Sequence, residues 1–398
     1  MNIPALKTKS TLFCTAIIGV TLAFPAIRPV YGDTPPENGI VSLKYLNYRD
    51  WQTGDTALTA GMSRERIGVQ ALSLMSMVPV AGEWSLNVSL LDDTVTGASP
   101  AYHSAGFPSA VSGASALDHR HAGDVELTRY FSRGSVTGGL SYSKENDYIS
   151  RGISLQGSWS TEDRNTTCTI GASVNDDSID LSGDNVIASK KQKDPEKKMV
   201  YAGLFGLTKV LAKTDIMQFN FGYSIGNGYY TDPFKDPDIR PRGRNSATFM
   251  TRWNHHFEST DGTMHLSYRY YQDTWGVRAH TLGAEYVQPL PKGWALTPQV
   301  RFYSQSEADF YIATGSDPSK PVPPPAGAVY YSEDQRLSAF GAVALGLKLS
   351  KQLSAHWLVD VKYERYEQRG EWSLSGKGDP GVASFNARDV QIGVSRTF

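Results

Sequence analysis

The chain has 398 residues, 39 basic and 40 acidic side chains, a formal net charge of −1 and two cysteines. Near-neutral charge argues against a nucleic-acid partner and a polybasic lipid patch, and so few cysteines exclude a disulfide-stapled secreted fold. Beyond residue 32 there is no run of roughly 18 apolar residues, so no spanning helix is predicted.

Residues 1–32 read as a cleaved export signal. Lys7 and Lys9 form the basic start, 11–24 the apolar core, and Val30-Tyr31-Gly32 places small residues where a signal peptidase needs them. Cys14 lies inside the apolar core, which makes it a poor lipid acceptor, and only Cys168 remains in the mature chain. The rest, 33–398, reads as a single domain.

That domain is predicted to be strands throughout. Segments near 40–48, 63–78, 84–90, 125–131, 136–142, 149–159 and 166–174 alternate apolar and polar residues, the period-two signature of a strand with two unlike faces. So do 199–209, 217–223, 249–253, 264–271, 280–287, 294–305, 337–349, 357–363 and 390–394. The clearest stretch is 264–287. Met264, Leu266, Tyr268 and Tyr270 alternate with polar residues, a tight 272–276 turn follows, and His280, Leu282, Ala284 and Tyr286 alternate again. Polar average hydropathy (−0.35), 11% aromatic residues and strand-length alternation together predict a transmembrane barrel, with apolar faces toward lipid and polar faces toward a lumen.

The connections sort by parity. After even-numbered strands they are short (79–82, 132–135, 160–165, 211–215, 258–263, 290–293, 350–355). After odd-numbered strands several are long (92–119, 175–197, 226–243, 306–335, 367–384). Short periplasmic turns and long outer loops are the habit of outer-membrane barrels. Within those loops the Pro-rich 317–328 reads as a stiff segment and 190–198 as a solvated charged one.

Large aromatics fall into two levels. Trp84, Tyr130, Phe131, Trp159, Phe257, Trp294, Trp357 and Phe398 gather at the short-turn ends, and Tyr148, Tyr229, Tyr230, Tyr271, Trp275 and Tyr366 near the others, which predicts two girdles. At the terminus, alternation through Val390, Ile392 and Val394 to Phe398, with Gly393 five residues earlier, is similar to the signal by which barrels are recognised for assembly. Arg396 departs from that pattern.

Several residue sets invite a chemical reading. Parity places Glu126, Gln218, Asn220, Arg252, His256, Arg269, Glu285, Arg301, Asp360, Lys362 and Glu364 on the inner faces. Charges of both signs in a lumen either pair and hold its shape or line an aqueous path. Arg252, Arg269, Glu285 and Arg301 are the candidates for the narrowest level. His119 and His121, with Asp92 or Asp93 near the other end of the 92–119 loop, form a weak metal candidate; His255 and His256 alternate and cannot both face one ion. Asp273 and His280, near Ser304 and Glu307, are the only residues placed for a hydrolase at the outer rim. The Gly-rich 135–139 does not precede a helix, so it is no phosphate loop.

The stretches 268–276 (YRYYQDTWG) and 301–311 (RFYSQSEADFY), with 206–211 and 228–233, resemble a bacterial family of outer-membrane proteins filed as a domain of unknown function. The resemblance covers most of the mature chain. It implies a barrel, and the family's habit of being encoded beside flavin-attachment and thioredoxin-like exported proteins implies extracytoplasmic redox or export work. No site residue is carried over from it.

The expectation is therefore one antiparallel barrel of about 16 strands, with 14 or 18 as alternatives, in the outer membrane of a Gram-negative bacterium. It would be a pore, transport or export-linked barrel partly occluded by its loops, without a cofactor. A docking barrel for a periplasmic, possibly redox, partner and an outer-rim hydrolase are the alternatives. Expected partners are outer-membrane lipid and lipopolysaccharide and the barrel-assembly machinery.

Overall fold

The structure, a computed structural model, describes residues 34–52, 65–97, 116–313, 322–376, 378–380 and 384–398. The segment expected to be an export signal, 1–32, and part of the Pro-rich stretch lie outside the described residues.

Sixteen antiparallel strands close into one ring. In chain order they are β1 (Ile40–Gln52), β2 (Glu65–Val80), β3 (Trp84–Gly97), β4 (Ala116–Phe131), β5 (Gly134–Lys144), β6 (Tyr148–Ser160), β7 (Thr166–Ile179), β8 (Glu196–Ala212) and β9 (Asp215–Gly228). A two-residue strand β10 (Asp238–Ile239) lies outside the ring. The ring continues with β11 (Gly243–Phe257), β12 (Gly262–Asp273), β13 (Arg278–Leu290) and β14 (Trp294–Gln305). The two-residue β15 (Tyr331–Ser332) pairs with β10, and β16 (Phe340–Gln352), β17 (Trp357–Arg369) and β18 (Phe385–Thr397) complete the wall.

The seam joins β1 to β18, from Ile40 opposite Thr397 to Gln52 opposite Phe385. Gly39 and Phe398 exchange backbone hydrogen bonds of 2.9 and 3.0 Å just below it. Closure matters because an open sheet edge in hydrocarbon would leave rows of unsatisfied N–H and C=O groups.

Alternation along every strand decides which face meets what. Leu90, Leu140, Ile153, Ile170, Phe205, Phe221, Leu282, Leu345 and Ile392 point outward and are exposed, as a lipid-facing surface requires. Trp84, Phe131, Trp159, Phe257, Trp294 and Trp357 share that outer face at the short-turn end, the expected lower girdle. Tyr130 is an exception, turned inward and buried against Ser85.

The upper girdle is not on the lipid face. Tyr148, Tyr271 and Tyr366 point into the ring, Trp275 is buried in an outer turn, and Tyr229 and Tyr230 pack among outer loops. Their sequence position near strand ends was real, but their side chains fill the inside of the outer mouth.

The β1–β2 wall also departs from the simple rule. Ile67, Val69 and Ala71 alternate inward and are buried, and Ile67 and Val69 cluster with Tyr48, Val95 and Ala387. At this corner the outer part of the barrel is filled with apolar side chains.

Candidate functional site

The basic side chains of the lumen wall gather on one side. In its lower and middle part, inward-facing Lys and Arg residues fall on one run of neighbouring strands: Arg252 on β11, Arg269 on β12, Arg301 on β14, Lys348 on β16, Lys362 on β17 and Lys44 on β1. The other half presents mainly Ser154, Gln156, Thr169, Ser173, Gln218 and Asn220. Its acids at this level are Asp124 and Glu126 on β4, which stands nearly across the ring from β11–β13.

The expected lumen residues separate into bound and free. Arg301 donates to Glu364 at 2.9 Å, and Lys362 reaches the other oxygen of Glu364 at 2.8 Å. Glu285 accepts from Gln299 at 2.8 Å, and Glu126 accepts from Asn87 at 3.1 Å. Asp360 lies against Gly393, where a Cβ would collide with its carboxylate. These contacts rigidify the wall. Arg252 makes no hydrogen bond or ion pair among the described residues, and Arg269 lies only against the Tyr271 ring, 5.8 Å from its centroid. Both are exposed although they point into a closed ring.

The other candidates land as follows. His119 and His121 lie on β4, not in a loop, because β3 and β4 extend well above the apolar belt. Their outward-facing residues there are polar, so no apolar alternation marked the extension. Asp92 bridges both rings, 3.2 Å from His119 Nε2 and 2.8 Å from His121 Nδ1, and one ligand atom from each residue lies within 4.8 Å of the others. Asp93 faces the other way, into the barrel, paired with Arg120 at 2.7 Å. His255 points outward to Asp215 at 2.8 Å, whereas His256 points inward to Thr263.

The rim-hydrolase pair is not assembled. Asp273 faces inward, held by Arg244 and Tyr271, while His280 faces outward and bonds the Tyr268 hydroxyl at 2.8 Å. The barrel wall lies between them. Phe398 is exposed below the seam, with its ring against Gly39, and Arg396 lies over the Trp357 ring at 5.5 Å.

Sequence reasoning missed the outer cap. Loops after β7, β9, β12 and β14 converge there. Asp334, wholly buried, meets Arg240 at 2.7 Å, Lys235 at 2.8 Å and Arg336; Arg336 also holds Asp232 at 2.6 Å. Asp238, also wholly buried, takes Arg240 and the Ser332 hydroxyl. Lys190, expected to be solvated, instead donates to the carbonyls of Asp232 and Lys235. Burial pushes the Asp334 carboxyl up, but Arg336, Lys235 and Arg240 together outweigh it and hold it well below the usual carboxylate range.

Beside this network Trp275 packs on Phe310 and Tyr230, and a pocket of about 400 Å³ opens between Trp275, Phe310, Tyr311 and Tyr330. Gly276, at φ +86°, lets the turn pass so close to Asp309 that no side chain would fit.

Beside the cap, against the loop after β7, the β5–β6 turn carries Glu145 and Asp147, both buried. Glu145 Oε2 and both Asp147 carboxylate oxygens have no hydrogen-bond partner among the described residues. Burial, then Asp118, raises the Glu145 carboxyl to about 8; the same causes raise Asp147 to about 7.

A closed ring of sixteen antiparallel strands with an apolar exterior and a polar interior defines a transmembrane β-barrel of the outer-membrane type. Within that class the chain belongs to the family described as "Protein of unknown function (DUF3570)", whose match spans residues 31–388. No curated protein matches it.

Similar solved structures include the siderophore receptor PirA from Pseudomonas aeruginosa, at 10% identity and TM-score 0.43, covering 86% of this chain and 60% of that one. The chain thus spans less than two thirds of that receptor's length. A Pseudomonas aeruginosa FadL homologue is similar at 11% identity and TM-score 0.43, with 91% and 90% of the two chains covered. A bacterial polysaccharide outer membrane secretin is similar at 7% identity and TM-score 0.46, with 90% and 97% covered.

Proposed function

We propose that this barrel sits in the bacterial outer membrane as a conduit for small hydrophilic solutes, with its outer cap restricting entry. One observation carries the reading: Ser154, Gln156, Leu204, Arg252 and Arg269 all point into the closed ring and are nevertheless exposed. A ring of about 16 strands is too wide for its own side chains to fill, and the space left is wet.

Arg252 and Arg269 are exposed cations that make no hydrogen bond or ion pair among the described residues and so can meet a solute, while Glu285, Arg301, Glu364 and Lys362 set the wall's shape through their pairs. With free guanidinium groups on one side and Asp124 and Glu126 on the other, the field across the path favours small anions or zwitterions over cations.

Planar-bilayer recording of the folded protein tests this. Wild type should conduct with anion preference, and R252E/R269E should shift the reversal potential toward cations. No conductance from well-folded protein would reject the conduit. Conductance with unchanged selectivity in the double variant would reject the role of these two arginines.

A further inference from the structure

The outer wall carries a second charged feature, created only when the ring closes. Arg49 on β1 stands directly opposite Arg388 on β18, and Arg388 directly opposite Arg365 on β17. Opposed residues on neighbouring strands point the same way, so the three guanidinium groups form one row across the seam. The row faces outward: Leu43 and Tyr45, Val390 and Ile392, and Val361 and Tyr363 share its face on the same strands and are exposed.

All three arginines are exposed. None has a carboxylate partner among the described residues; Arg388 alone has a neighbour, the Trp51 ring at 5.9 Å. Arg369, one turn-end away, differs, being held by Glu367 and Glu371. Like charges set side by side across strands destabilise a sheet. An unneutralised row of this kind is favourable only when an anion lies against it.

Its height says which anion. Val390 and Tyr363 lie two residues below the row on their strands, and Tyr45 four below it, at the upper edge of the apolar belt. The row therefore stands at the level where lipid headgroups begin on the long-loop side. Two strand spacings set the three side chains across roughly 10 Å, enough for more than one phosphate. Guanidinium forks bind phosphate oxygens in pairs, which ammonium groups do not.

We propose that Arg49, Arg365 and Arg388 form a binding site for the phosphate groups of an outer-leaflet lipid headgroup. The site rests on the outer-membrane placement proposed above, and not on conduction. A bound headgroup would bridge β1, β18 and β17, clamping the seam where the first and last strands meet.

The test uses the full-length mature barrel in detergent micelles and measures binding of diphosphorylated lipid A, with inorganic phosphate as a separate arm. Wild type should bind lipid A and lose it as salt rises. R49Q/R365Q/R388Q should bind on the order of 100-fold more weakly, given the usual contribution of each basic side chain near an anionic surface. R49K/R365K/R388K should fall between the two. R129Q, at the short-turn end, should bind like wild type.

Folding of each variant is read from heat-modifiable gel migration. If the triple variant does not fold, R365Q alone carries the test, with a several-fold loss expected. Unchanged lipid A affinity in the folded variants would overturn the proposal. So would inorganic phosphate binding as tightly as lipid A, since the site would then read a free anion. Conductance measured on the same samples separates this result from the fate of the conduit.

Discussion

Removing Arg336 should open the outer cap. Its guanidinium joins Asp334 and Asp232, which come from loops more than a hundred positions apart, and both acids are buried. Around it, Asp232, Asp238 and Asp334 face Arg240, Arg336 and Lys235, with Lys190 on nearby carbonyls. R336A takes from buried Asp232 its ion pair among the described residues and from Asp334 one of its three. Breaking a buried pair by deleting one partner costs roughly 3–5 kcal/mol. Arg336 keeps 22% of its side chain exposed, so the lower figure, about 3 kcal/mol, applies. That corresponds to roughly a 150-fold shift toward the open cap. Single-channel recording should show longer open times, and limited trypsin digestion should newly cut after Lys190, which the closed cap engages. R336K should fall between the two, keeping the charge but losing the fork. Open times and cleavage in R336A identical to wild type would refute the idea that this network holds the cap.

Three more outcomes follow from the same structure. Glu145 has its carboxyl raised to about 8 by burial and Asp118, and Asp147 is raised to about 7. A carboxyl raised by folding leaves the turn intact at low pH and weakens it as pH climbs from about 4.5 to about 8. The protection factor of the Glu145 amide, bonded to the Tyr148 carbonyl at 2.7 Å, should fall over that interval once the base-catalysed rise in intrinsic exchange is divided out, and E145Q should flatten the fall; an identical profile in E145Q would refute the assignment. The cap has the opposite sign. Asp334 is held low, so its stabilisation persists above the ordinary carboxylate range and is lost only as pH falls through its own depressed value; cap opening by mild acid, near pH 5, would contradict this. Finally, G393L would drive a side chain into Asp360 beside the seam, at a cost of about 1–3 kcal/mol. The folded fraction on a gel should drop, and full folding would show that the seam has room.

The strands were legible because lipid on one side and water on the other write a two-residue period into the chain. The period fails where those two solvents are absent. Around His119 and His121 the strands stand clear of the apolar belt, so polar residues occupy both faces and the segment reads as loop. Around Ile67 and Val69 the inner face is packed, so the apolar set points the unexpected way. The inward placement of Arg252 and Arg269 followed from parity, but which lumen charges pair and which do not did not. The cap and the arginine row did not. Arg336 with Asp232, and Arg49 with Arg388, are joined by ring closure and loop convergence, and local pattern has no access to contacts of that separation.

The distribution of paired and unpaired charge is itself an argument about where water goes. Inside the cap, where Asp334 and Asp238 have no exposure, the acids are matched by short ion pairs. A dry, unmatched charge there would cost several kcal/mol. In the lumen Arg252 stands without a partner among the described residues, which is tolerable only if water solvates it. Substituting each by methionine therefore separates the two regions. R252M should leave the melting temperature within about 2 °C of wild type, as surface-like substitutions do, while reducing anion preference. R336M should loosen the cap and leave the ion selectivity of the open path as it was. Were R252M the more damaging of the two to stability, Arg252 would be a buried structural cation, and the wet lumen would have to be abandoned.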